Sequence, residues 1–185
     1  MGTRQATRLF LFLFNIFYIT LSLVSGVKAI QWGVEMESTA LRLFEGYKEY
    51  AVQPTGLWLH PSGILGASPD GLIPELNASV EVKCPYSVRE CTIAEACQKK
   101  DFYLRSDEHG VVSLRDNHPY VDQIQGQMHL TGTVTCFFVV YTKKEMGVVE
   151  IDKDENWGVN VDSLIQFYVD HMLPRIIGTG QNTWS

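Results

Sequence analysis

A chain of 185 residues with 45% hydrophobic and 19% charged side chains can bury the core of one domain, which excludes a disordered tail or a collagen-like rod. The 15 Lys+Arg against 21 Asp+Glu give a net charge of −6, and residues 30–185 hold 12 of the bases and all 21 acids, a balance of −9. An acidic body argues against a protein that grips nucleic acid through a broad basic face.

In chain order, the first feature is an apolar leader over residues 1–29. Arg4 and Arg8 precede an uncharged run from Leu9 to Val27, and the small residues Ser25, Gly26 and Ala29 follow. That order of positive, apolar and small segments is the pattern of a signal peptide cut after Gly26 or Ala29. The run is also long enough to stay as a membrane anchor, and a mis-annotated first exon is the third reading. The compartment follows: the secretory pathway or a membrane for a true leader, an intracellular or nuclear site for an artefact. The sequon Asn77-Ala78-Ser79 and four cysteines are compatible with secretion. Cys84, Cys91 and Cys97 lack the short paired spacing of a structural zinc site and read as free thiols.

Residues 30–185 read as one domain without repeats or linkers. Met36, Ala40, Leu43, Phe44 and Tyr47 recur at helical steps, predicting a helix over 34–50. Short strands follow at 57–60 and 64–68 around the turn Pro61-Ser62-Gly63, and Asp70-Gly71 reads as a turn between strands. Ser79–Cys84 is a strand stopped by Pro85. A helix over 87–98, a short strand at 111–115 and a helix from Pro119 to Leu130 come next. Thr135–Thr142, continuous and β-branched or aromatic, has the composition of a central strand buried on both faces, with Gly147–Ile151 beside it. A helix over 161–177, with Leu164, Phe167, Tyr168, His171 and Met172 along one side, closes the chain. Mixed strands and helices around one sheet make an α/β or α+β domain.

The chemistry concentrates between Asp70 and Pro85. Strand alternation puts Glu81 and Lys83 on one face and Val80, Val82 and Cys84 on the other. A hairpin brings Asp70 beside Glu81. Two carboxylates and a strand carbonyl form an oxygen-rich site suited to Mg²⁺ or Mn²⁺. Lys83 is then placed to orient or deprotonate a water and to offset charge during phosphodiester hydrolysis. A Glu-x-Lys tripeptide alone is no more than a cross-strand ion pair worth about 0.2–1 kcal/mol. His60, His118 and His129 read as surface or packing residues.

Four blocks raise its weight: Trp32-Gly33-x-x-x-Glu37-x-x-Ala40-x-x-Leu43-Phe44; Gly66-Ala67-Ser68-Pro69-Asp70-Gly71-Leu72; Glu81-Val82-Lys83-Cys84-Pro85-Tyr86; and Tyr120-x-x-Gln123-Ile124-Gln125-Gly126-Gln127-Met128. In this order and at these separations the chain resembles the YqaJ-like viral recombinases, relatives of the phage lambda-type exonucleases in the PD-(D/E)xK nuclease superfamily, over residues 32–175. The resemblance implies a restriction-endonuclease-like core, a central mixed β-sheet flanked by helices. It implies an Mg²⁺- or Mn²⁺-dependent deoxyribonuclease, a DNA-end exonuclease of recombination or repair acting on double-stranded ends. It implies Asp70 and Glu81 as metal ligands with the Val82 carbonyl, Glu37 as a holder of the second metal or its waters, Lys83 as the catalytic lysine and Gln123 as a helix glutamine touching the site. Ser68 is a weaker candidate near it. Gln123 and Gln127, four apart, share a helix face that Gln125 does not. Ring-forming relatives imply a homo-oligomer, and a recombinase partner is expected as well; a membrane enters only with a true anchor.

Such relatives begin with a helical segment that grips the DNA end, and the apolar leader stands in its place here. Two other readings follow from that: an inactive nuclease-fold binding module, and a secreted or membrane-tethered glycoprotein. For an active enzyme, Arg89, Lys99, Lys100 and Arg105 are the expected groove cations.

Overall fold

The computed structural model describes residues 28–178, so all of the apolar leader except Lys28 and Ala29 lies outside the described residues. The first helix among the described residues, α1, runs Lys28–Lys48 and so takes in residues 28–33, ahead of the predicted start. Two residues of α1 are buried, Ala40 and Phe44, spaced one turn apart. Their stripe lies on a four-stranded sheet of β3 (Gly71–Ile73), β4 (Ala78–Lys83), β7 (Thr135–Tyr141) and β8 (Met146–Asp152), in that spatial order. β4 and β7 are parallel, and both outer pairs are antiparallel.

Strand alternation divides the core between two layers. On one face Val80 and Val82 of β4 and Phe137 and Val139 of β7 pack with Ala40 and Phe44, and the Phe44 and Phe137 rings lie 5.4 Å apart. On the other face Cys136, Phe138 and Val140 meet Ile124 and Met128 of helix α3 (Pro119–Thr131). The result is a central mixed sheet flanked by helices, as expected, with β7 buried on both faces.

The crossover from β4 to β7 carries the short helix α2 (Ile93–Cys97), the hairpin β5 (Leu104–Ser106)–β6 (Val112–Leu114) and α3. Pro119 opens α3 next to the His118 cap, and Gly132 closes it in the left-handed conformation at φ 77°. A second hairpin, β1 (Trp58–Leu59)–β2 (Gly66–Ala67), packs near α3 and delivers the chain to Asp70.

Three expectations are corrected. The helix over 87–98 is a single turn at Tyr86–Val88 followed by α2, because Thr92 and Glu95 form a capping box that starts a new helix at Ile93. Asp70-Gly71 is not a turn between strands: Gly71 opens β3, and the bridge Gln53–Leu72 pins its outer side. The closing helix is not uniform. It comprises α4 (Val159–Phe167), a widened π turn at Tyr168–Met172 and α5 (Leu173–Ile176). Pro174 lacks the N–H that would continue the regular ladder there. All four cysteines are free thiols, and among the described residues no helix is long and apolar enough to cross a membrane.

Candidate active site

The sheet register sets the site. Gly71 pairs with Val80, so Asp70, one residue earlier, stands opposite Glu81, and the Asp70 N–H donates to the Val80 carbonyl at 3.0 Å. The Asp70 side chain folds over the end of β3, where its Oδ2 accepts from the Val82 N–H at 2.6 Å. Successive residues of a strand turn their backbone groups to opposite edges, the N–H and C=O of any one residue sharing an edge. The Val82 carbonyl therefore faces the same edge as its N–H, beside Asp70.

Glu81 points to the α3 face and is only 2% exposed. Three donors converge on it. Gln123 Nε2 donates to Oε1 at 2.6 Å, Gln127 Nε2 donates to Oε2 at 2.7 Å, and the Lys83 ammonium donates to Oε1. Lys83 also lies over the Tyr120 ring, 4.8 Å from its centre. Gln125 turns the other way, donating to the Asp152 carbonyl at 2.9 Å and accepting from the Asp154 N–H at 2.8 Å. The expected division of the three glutamines thus holds, and Gln125 instead anchors α3 to the end of β8.

The electrostatics record an excess of negative charge. Burial first, then the Glu81 charge, raises Asp70 from an ordinary 3.8 to about 8, against the Val82 hydrogen bond and Lys83. Glu37 belongs to a helix turn that stays exposed overall, yet burial of its carboxyl, then Glu81, raises it as well, with Lys83 opposing. Cys84, next to Lys83, is pushed up to about 12 by burial and then by Glu37 and Asp70. For Lys83 burial opposes the charged form, but Glu81, Tyr120 and Asp70 outweigh it and hold the ammonium above its ordinary range. These mutual couplings bring Glu37, Asp70, Glu81 and Lys83 into one electrostatic unit fed by three elements.

Among the described residues no three or more His, Cys, Asp and Glu side chains close into a metal-binding cluster. The donor chemistry nevertheless fits a hard divalent cation. The available atoms are carboxylate and carbonyl oxygens, and a buried acid crowded against a half-buried one is the arrangement that such a charge relieves. Ser68 is exposed. Sequence reasoning gave no role to Gln127 or Tyr120. Both lie in the block that begins at Tyr120, and the four-residue spacing from Gln123 was the available signal for Gln127.

Comparisons with known proteins bear on the family and the fold. A viral alkaline nuclease from Autographa californica nuclear polyhedrosis virus is 26% identical over 117 residues, 55% of this chain; the matched stretch is only 28% of that nuclease's length. The alkaline exonuclease LHK-Exo of Laribacter hongkongensis superposes with a TM-score of 0.66 at 23% identity, covering 97% of this chain and 84% of that one. A crystal structure of LHK-Exo in complex with dAMP gives 0.64 at 23% identity, over 97% and 87% of the two chains. A phage-related exonuclease from Haemophilus somnus 129PT gives 0.59 at 17% identity, over 95% and 85%. The structural likenesses speak for the fold. The YqaJ-like viral recombinase domain matches residues 15–134, which take in Glu37, the strand pair bearing Asp70, Glu81 and Lys83, and the glutamine helix. With that match across well over half its length, the chain belongs to the YqaJ-like viral recombinase family.

Proposed function

We propose that this chain is a metal-dependent deoxyribonuclease, an exonuclease that removes nucleotides from double-stranded DNA ends in recombination or repair. The observation that carries the reading is Asp70 held opposite Glu81 with Lys83 beside it, at the adjoining ends of β3 and β4. The names of its relatives, a viral alkaline nuclease and an exonuclease bound to dAMP, support it.

Asp70, Glu81, the Val82 carbonyl and Glu37 are the groups that would hold Mg²⁺ or Mn²⁺. A divalent cation there supplies Lewis-acid polarisation of the phosphoryl oxygen and a more acidic water. The protein's own part is positioning and charge. Lys83 keeps its proton in the geometry described, which favours a donor over a base. Its ammonium is set to donate to a phosphoryl oxygen as negative charge builds during hydrolysis. Gln123 fixes the Glu81 carboxylate from the helix side. Homo-oligomeric assembly and a recombinase partner belong to the same proposal.

The test is release of mononucleotides from end-labelled linear duplex DNA by the purified full chain with Mg²⁺ or Mn²⁺. Asp70→Ala and Lys83→Ala are each expected to slow release by about 10²-fold or more, and chelation to abolish it. No release with either ion, or a Lys83→Ala chain as fast as the wild type, refutes the enzyme reading.

A further inference from the structure

The family resemblance gives Gln123 a role and Gln127 none, yet the structure gives Gln127 the more enclosed position. It is 2% exposed, one turn further along α3, and its Nε2 meets the Glu81 oxygen that Gln123 and Lys83 leave to it. Glu81 is therefore gripped at both oxygens from two successive turns of one helix. A carboxylate held at one oxygen can still swing about its own axis, whereas one held at both is fixed in plane as well as in place.

Two further observations show that this amide serves Glu81 rather than general packing. Gln127 Oε1 is buried without a hydrogen-bond partner. Exchanging the amide's two ends would satisfy neither side, because it would set a carbonyl oxygen against a carboxylate. The side chain thus keeps an unsatisfied acceptor in the core in order to keep its donor on Glu81, where an apolar residue of equal length would leave no such atom. The helix itself is held by another residue: Gln125 fixes it to the end of β8.

We infer that Gln127 is a positioning residue that sets the orientation of the Glu81 carboxylate toward a divalent cation. This rests on the metal-dependent nuclease reading above. Outer groups that orient a metal-binding carboxylate typically change metal affinity by about 10–100-fold when removed. Methionine matches the length and bulk of glutamine without its N–H, so Gln127→Met withdraws the donor and keeps the volume.

The experiment is calorimetric titration of Mn²⁺ into the full chain, with circular dichroism to establish the folded fraction. Gln127→Met is expected to bind Mn²⁺ about tenfold or more weakly at an unchanged folded fraction. Gln127→Asn, which retracts the amide by one methylene, is expected to do the same should the methionine variant fail to fold. Gln125→Met serves as the packing comparison, expected to lower the melting temperature and leave Mn²⁺ affinity within about twofold of wild type. Wild-type affinity in a folded Gln127 variant overturns the inference, as does equal weakening in the Gln125 and Gln127 variants. A wild-type chain that binds Mn²⁺ but degrades no DNA overturns the nuclease reading while the effect of Gln127 on binding stands. A wild-type chain that binds no Mn²⁺ overturns both.

Discussion

At Asp70 stability and chemistry conflict. Without metal, burial and the Glu81 charge raise it to about 8 from an ordinary 3.8. A carboxyl whose pKa rises on folding holds its proton more tightly in the native state. Its contribution to stability is therefore complete below about pH 4 and lost as pH rises through about 8. Asp70→Asn removes the charge and keeps an acceptor for the Val82 N–H. In thermal melts of the metal-free chain at pH 9, this variant is expected to exceed the wild type by at least about 2–4 °C, the shift that about 1 kcal/mol produces at this size. At pH 4 the advantage should vanish. A wild type as stable as the variant at both pH values would show that the carboxyl imposes no such cost. That Glu81 and Lys83 share a strand face was legible in the sequence, because a period of two decides it, and the expected hairpin put Asp70 beside Glu81. The place of Gln127 was not legible. A glutamine on a helix reads as a solvent-facing residue until the partner beneath it is known, and that partner is 46 positions away in sequence.

At the scale of elements, the β1–β2 hairpin, the β4 strand ended by Pro85, the β7 strand and the Pro119 helix follow from local pattern, whereas β3 does not. Asp70-Gly71 has the composition of a turn, yet Gly71 lies in a strand because the chain at Val52 crosses directly over it. A Cβ on Gly71 would stand 2.1 Å from Val52 Cγ1. The β-branched Val52 has little freedom to retreat. Gly71→Ala is therefore expected to destabilise by about 1–3 kcal/mol, the usual cost of overpacking, as measured by urea denaturation. Adding Val52→Ala should recover part of that loss, and strictly additive effects in this double-mutant cycle would remove the contact as the cause. The close approach matters to the site, since it seats β3 so that Asp70 faces Glu81. β5 escaped prediction for a different reason: three residues, two of them polar and exposed, carry too little periodicity to read.

For the whole molecule, the acidic balance is matched by how the cations are spent. Arg89 and Lys143 both lie against Glu90, Lys144 against Glu95, and Arg105 against Asp116. Two of the four expected groove cations, Arg89 and Arg105, are thus tied to acids. With these cations paired to acids, binding to a short duplex, followed by anisotropy with Ca²⁺ to suppress turnover, should weaken only shallowly with salt. A log–log slope no steeper than about −3 is expected, corresponding to about three neutralised phosphates. A slope near −6 or beyond would reveal a basic face that this pairing hides.

What the sequence determined by itself was local: the alternation that displays Glu81 beside Lys83, the strand composition of β7, the motif order that marks the family, and the charge separation between leader and body. Each depends on residues a few positions apart, where backbone geometry alone fixes the relation. Only the tertiary structure decided that Glu81 is enclosed by two glutamines and a lysine, that Val52 packs over Gly71 next to Asp70, and that the acidic body pairs off much of its own positive charge. These relations join residues brought together by sheet register and helix packing, and chain order does not encode such distances.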